Sequence, residues 1–183
     1  MSEGMTVVKV GGGMLAEPAL LPRVGRALAR LAGERPVVII PGGGPFADQV
    51  RLFDQRHGLQ PTAAHWMAIL AMDQCAWVIA TETPGSRIVE DRAGILQAHR
   101  EGLIPVLAPS RWLRATDELP HRWEVTSDSL AAYLATLLGA EELILIKPVS
   151  GGTELVDEWF LRVAPTDLRV RIVGAAEVAA EAE

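Results

Sequence analysis

The sequence predicts an α/β fold, a three-layer sandwich around a mainly parallel central sheet, and three observations carry that expectation. Short β-branched runs recur along the chain and are apolar on both faces, as strands covered on two sides must be. Segments of helical periodicity lie between them, the alternation that marks βαβ units. Two of the runs stop on glycine triplets that lead into helices, at the strand ends where parallel sheets hold ligands.

The strands expected, in order, are TVVKV at 6–10, VVII at 37–40, IPVLA at 104–108, LILI at 143–146 and VRIV at 170–173. Helical periods run from Ala19 to Leu31, Pro45 to Arg56, Thr62 to Ala80, Asp91 to Arg100 and Ser127 to Leu138. The helix from Thr62 carries Trp66, Met67, Ile69, Leu70, Met72, Trp77 and Val78, apolar nearly all round. Such a helix lies either in the core or against another subunit, so a homo-oligomer is one expectation. The stretch from Pro109 to Arg122 reads as a long connection, and the end GAAEVAAEAE as a short helix or frayed tail.

The chain has 183 residues, which suits a single domain over 1–183. With 49% hydrophobic and 22% charged residues it must fold around a core, which excludes a disordered protein. A net charge of −6 offers no basic surface to nucleic acid or anionic lipid. Cys75 is the only cysteine, which excludes an internal disulfide, fits a reducing cytoplasm and suggests a packing role. The N-terminal MSEGM lacks the basic flank and apolar run of an export signal, and Asp73 and Gln74 interrupt the longest apolar helix, so no membrane span is expected. His57, His65, His99 and His121 have no metal-ligand spacing, and no protein metal site is expected.

The glycine triplets carry the chemistry. Val10 leads into Gly11, Gly12 and Gly13, and Ile40 leads through Pro41 into Gly42, Gly43 and Gly44. Glycine lets other groups approach the backbone, and the first N–H groups of a helix favour negative charge. One triplet is most simply a tight turn; two in one small domain point to a phosphate. GGGMLA matches G-x-G-x-x-A, but the second strand ends in Pro-Gly-Gly-Gly without an acidic residue for a ribose, so a dinucleotide is disfavoured. No lysine follows a glycine at Walker-loop spacing.

Lysine usage sharpens the point. Of 17 basic residues only Lys9 and Lys147 are lysine, and both end apolar strands. A compact ammonium can point into a polyphosphate where a guanidinium fork cannot, although snorkelling out of the sheet is the alternative, stronger for Lys147 than for Lys9. Thr126, Ser127, Asp128 and Ser129 crowd the start of the helix that leads to Lys147; one suffices as a cap. Asp128 is then either that cap or the group that orients a lysine or a metal-bound water.

Three ordered stretches, VVKVGGGML, VVIIPGGGPFADQVR and TSDSLAAYLATLLGAEELILIK, resemble the amino acid kinase family, which includes acetylglutamate, aspartate, uridylate and isopentenyl-phosphate kinases. SDSLAAYLA, LILIKPVSG and LVDEWF narrow the likeness to the small kinases that convert an aminomethylfuran-methyl phosphate to its diphosphate in methanofuran-type cofactor synthesis. The resemblance implies an amino-acid-kinase-like fold, ATP and Mg²⁺, and a small-molecule phosphate acceptor. It implies that Lys9 neutralises the phosphoryl group in flight, Asp128 orients the lysines and Lys147 lies near the nucleotide phosphates. Gly11, Gly12 and Gly13 would cradle the donor, and Gly42, Gly43 and Gly44 the acceptor. Arg51 and the tryptophans at 112, 123 and 159 are candidates to line the acceptor pocket, with packing the simpler role for each tryptophan. Val149, Ser150, Gly151 and Gly152 replace the family's Asp-Gly turn, and the later GGM segment with its second lysine has no counterpart from Thr153 to Glu183. Lys147 takes the place of that lysine, or the chain is a non-catalytic nucleotide- or oxyanion-binding relative.

Overall fold

The structure, a computed structural model, describes residues 4–149, 151–152 and 155–180. Ser150 of the expected turn, Thr153 and Glu154 at the start of the divergent region and 181–183 of the expected tail lie outside the described residues. Among the described residues six strands form one sheet: β1 (Thr6–Val10), β2 (Val37–Pro41), β3 (Ser86–Val89), β4 (Ile104–Leu107), β5 (Glu142–Lys147) and β6 (Arg169–Gly174), in the order β3-β4-β2-β1-β5-β6. Every pairing is parallel. β1 sits in the middle, with Lys9 opposite Ile40 on one side and Leu145 on the other.

Helices cover both faces, as the doubly apolar strands require. These are α1 (Leu21–Glu34), α2 (Gly44–His57), α3 (Pro61–Glu82), α4 (Arg92–Arg100), α5 (Ser110–Thr116), α6 (Ser127–Leu138), α7 (Phe160–Val163) and α8 (Ala175–Ala180). On one face Val7, Val38, Ile40, Leu143 and Leu145 pack under α6 and Phe160. On the other, Val8, Val10, Ile39, Ile144 and Ile146 pack with Val24 and Leu28 of α1 and Ala175 and Ala179 of α8.

Three expectations need correction. The stretch from Pro109 is not all connection: it contains α5, whose first N–H, that of Ser110, donates to Asp73 Oδ1 of α3 at 3.0 Å. That cap comes from a distant residue, so no local signal announces the helix. β3 was not expected, because as an edge strand it buries only Val89 and has no apolar run. β6 was expected to be covered on both sides but is the opposite edge, with Arg169 and Arg171 exposed.

The helix from Pro61 to Glu82 is continuous through Asp73 and Gln74, and its length and mean hydropathy of 1.2 match a membrane span on composition alone. It buries Ile69, Met72, Cys75 and Ile79 against the sheet and exposes Leu70 and Trp77. Cys75 is fully buried and directs its thiol to Gly43 O at 3.1 Å, so it packs beneath the second glycine turn.

Candidate active site

Side chains alternate across a strand, so Lys9 shares a face with Val7, and Lys147 shares one with Leu143 and Leu145. Both lysines therefore end adjacent strands on the face that α6 covers. The first turn of α6 sets Asp128 between them. Lys9 Nζ lies 2.9 Å from Asp128 Oδ1 and Lys147 Nζ lies 2.5 Å from Oδ2. Asp128 is 3% exposed and Lys9 4%, so two cations and one anion share a nearly dry site. Lys147 donates an aligned hydrogen bond, whereas the close Lys9 contact leaves Oδ1 without one.

The charges tune one another. Burial lowers the Lys9 pKa below the ordinary 10.5; Asp128 opposes that, and the Lys147 ammonium adds to the lowering. Burial also works against the Asp128 charge, but the two ammoniums outweigh it and hold its carboxyl below the usual 3.8. The helix start is capped by Thr126, whose side chain accepts from the Asp128 N–H at 3.3 Å, so the Asp128 carboxylate is free of capping.

Asp157, which the sequence reading passed over, anchors this turn. Its carboxylate accepts from the N–H and hydroxyl of Thr126, the N–H and hydroxyl of Ser129, and the N–H groups of Trp159 and Phe160. It thereby fixes the start of α6, and with it Asp128, to the segment leading into α7. Its signal lay in LVDEWF, an acidic residue just before a short helix, but nothing local linked it to residues near 128.

The two glycine turns interlock. A Cβ on Gly12 would fall 2.1 Å from Gly44 N, and one on Gly42 would fall 2.6 Å from Gly12 N. Gly44 also sits at φ +51, which only glycine takes without strain. Gly11 and Gly42 turn out to extend the sheet: their N–H groups donate to Ile146 O at 2.9 Å and Val10 O at 2.8 Å. Those two amides are spent on the ladder, so the expected triplets shrink to Gly12 and Gly13 in a short 3-10 turn and Gly43 and Gly44 at the head of α2. The amides of Gly12, Gly13 and Gly44 precede the first intrahelical donors, Met14 and Ala47, so none of them has an acceptor within its own turn. Gly12→Ala is expected to cost at least the upper part of the about 1–3 kcal/mol seen for overpacked sites. Gly13→Ala meets only the Cγ of Pro148, at 3.0 Å, and is expected to leave thermal unfolding nearly unchanged. Melting both variants checks the contrast, and equal melting temperatures would refute the interlock.

Gly12, Gly13, Gly43 and Gly44 open onto a cleft of about 230 Å³ that α2, α3 and the start of α6 enclose. Arg51 and Trp123 line it, with the Arg51 guanidinium 4.7 Å from the centre of the Trp123 ring. Trp123 Nε1 donates to Asp54 Oδ2 at 2.6 Å. Trp112 and Trp159 do not line it; both pack against the core instead.

The profile of the amino acid kinase family matches residues 4–151. The chain belongs to this family. Within it, the chain is 35% identical over 151 residues to the [5-(aminomethyl)furan-3-yl]methyl phosphate kinase of Methanocaldococcus jannaschii, covering 80% of this chain and 67% of that one. The fold matches the uridylate kinase of Archaeoglobus fulgidus with a TM-score of 0.62 at 18% identity, covering 80% of this chain and 64% of that one. It matches the UMP kinase of Ureaplasma parvum with a TM-score of 0.64 at 14% identity, covering 83% and 68%. The chain thus spans about two thirds of the length of these amino acid kinase relatives.

Proposed function

We propose that the protein is an ATP-dependent kinase that converts [5-(aminomethyl)furan-3-yl]methyl phosphate to the corresponding diphosphate, a cytoplasmic step of methanofuran-type cofactor synthesis. The observation that carries this reading is the Lys9–Asp128–Lys147 bridge beside paired glycine turns, in a chain related to a kinase of that name. Phosphoryl transfer asks chiefly for positioning and for charge stabilisation around oxygens in line. An oxygen of the acceptor phosphate attacks the γ-phosphorus, the bond from γ-phosphorus to the bridging oxygen breaks, and ADP leaves.

Lys9 and Lys147 supply positive charge to the oxygens in flight, and Asp128 keeps both ammoniums in place between turnovers. The glycine-turn amides that have no acceptor within their own turn, together with Arg51, hold phosphate oxygens. No three acidic, histidine or cysteine side chains gather as a metal cage among the described residues. A magnesium ion would therefore take its ligands mainly from the nucleotide phosphates and neutralise charge between them.

Single-turnover transfer of the γ-phosphate from MgATP to the furan-methyl phosphate tests the proposal. Transfer is the expected result. Binding of ATP without transfer to any phosphate acceptor would mark a non-catalytic relative instead. A homo-oligomer belongs to the same reading, since α3 leaves Leu70 and Trp77 exposed and α2 leaves Phe53 exposed. Light scattering that gives a monomer at micromolar concentration would remove that part.

A further inference from the structure

Helix α2 has no buried residue, which is unusual for a helix in a layered α/β protein. Its stripe Gly44, Ala47, Asp48 and Arg51, spaced i, i+3, i+4 and i+7, lines the cleft, and Phe46, Leu52 and Phe53 are exposed. Among the described residues, Asp48 and Arg51 are the only acidic and basic residues that line it. His65 also lines the cleft, but burial, helped by His121 and opposed by Asp117, brings its pKa down to about 4, so it is neutral there.

The two charges are unspent. Asp48 has no hydrogen bond or ion pair among the described residues, and Arg51 is stacked on Trp123 without a carboxylate partner. Asp54, the nearby alternative, is occupied: it accepts from Leu59 N at 2.8 Å and from Trp123 Nε1 at 2.6 Å. Asp48 lies beyond the first turn of α2, so it neither caps the helix nor answers its dipole. A bare carboxylate in a cleft built for phosphate oxygens repels the ligand unless the ligand brings a cation.

We propose that Asp48 is the specificity residue that pairs with a primary ammonium group on the acceptor, so that the acceptor is selected as a phosphate ester that also carries an amine. This rests on the kinase reading above for the identity of the acceptor, but binding alone can test it. Asp48 attracts the aminomethyl arm and disfavours phosphate esters that lack one.

The test is calorimetric binding of [5-(aminomethyl)furan-3-yl]methyl phosphate and of its 5-methyl counterpart to the native chain and to Asp48→Asn, with transfer from ATP measured in parallel. The native chain is expected to prefer the amine by about 10–100-fold, the range of one charge-assisted contact. Asp48→Asn is expected to lose that preference, bind the 5-methyl compound at least as well as before, and keep the melting temperature, as an exposed helix position allows. No preference in the native chain, no binding of either compound, or an equal loss for both compounds in the variant would each overturn the proposal. An Asp48-dependent preference without phosphoryl transfer would uphold it while removing the kinase reading. Transfer to both acceptors at equal efficiency would do the reverse.

Discussion

Lys9→Met is expected to reduce turnover by about 10²–10³-fold, the cost of removing one preorganised donor from a phosphoryl-transfer or oxyanion site, while thermal stability holds or rises. The two effects separate because the ammonium is almost fully buried and burial is the largest influence on it. A charged group forced into a dry site opposes folding, and methionine fills the same space without that cost. Asp128 keeps Lys147 as its counter-ion in the variant, so no carboxylate is stranded.

The pH dependence follows from the sign of the shift. The folded pKa of Lys9 is below its unfolded value, so the native chain carries the burden of the charge at low and neutral pH and sheds it as pH rises through the folded pKa. The stability advantage of Lys9→Met should therefore shrink towards pH 10.5. Melting curves across neutral and alkaline pH, with turnover assays beside them, provide the check. Undiminished turnover would exclude Lys9 from the chemistry, and a markedly lower melting temperature at pH 7 would show that its attraction to Asp128 exceeds the cost of burial.

Asp128→Asn is expected to be the most damaging single change, lowering stability by about 3–5 kcal/mol as well as ending turnover. It leaves two neighbouring ammoniums facing a neutral amide in a site that water barely reaches. The native carboxyl has a depressed pKa, so its contribution is fully present above the unfolded value near 3.8 and is lost as pH falls through the folded value. The gap between native and variant should stay level from neutral pH down to about pH 4 and then close. If the variant does not fold, Asp128→Asn combined with Lys9→Met keeps the question open to measurement, because removing one of the cations should restore much of the stability. A single variant as stable as the native chain would mean that the bridge contributes nothing to the fold.

How much of this was legible in the sequence depends on whether the cause was local. Lys9 and Lys147 could be placed at the ligand end of a parallel sheet because each lies at the carboxyl end of an apolar run; that both fall on one face depends on the register of β1 against β5. Asp128 stood at a helix start with more capping candidates than a helix needs. Asp157 and Asp48 were missed for opposite reasons. Asp157 acts through partners about thirty positions away in the chain. Asp48 was within reach, since its spacing from Gly44 and Arg51 is helical, but only the fold shows that this stripe lines a cleft. The role of the glycines was half legible: the need for bare backbone was apparent, but that Gly12 and Gly44 need it for each other depends on a contact between two turns. Edge strand β3 and helix α5 escaped because one has too little apolar content and the other borrows its cap from α3.

The order of strands has a bearing on biosynthesis. β1 leaves the ribosome first, yet its neighbour β5 is near the end of the described chain, and the anionic centre arrives with α6 just before it. Until those late segments dock, the early strand has an open hydrogen-bonding edge and a lysine with no counter-ion. Parallel pairings between such distant segments close slowly, and unpaired edges invite association with other chains. Production of this protein should therefore be most vulnerable to aggregation while translation is incomplete, and the pairing of β5 with β1 is the step that also brings Asp128 and Lys147 to Lys9.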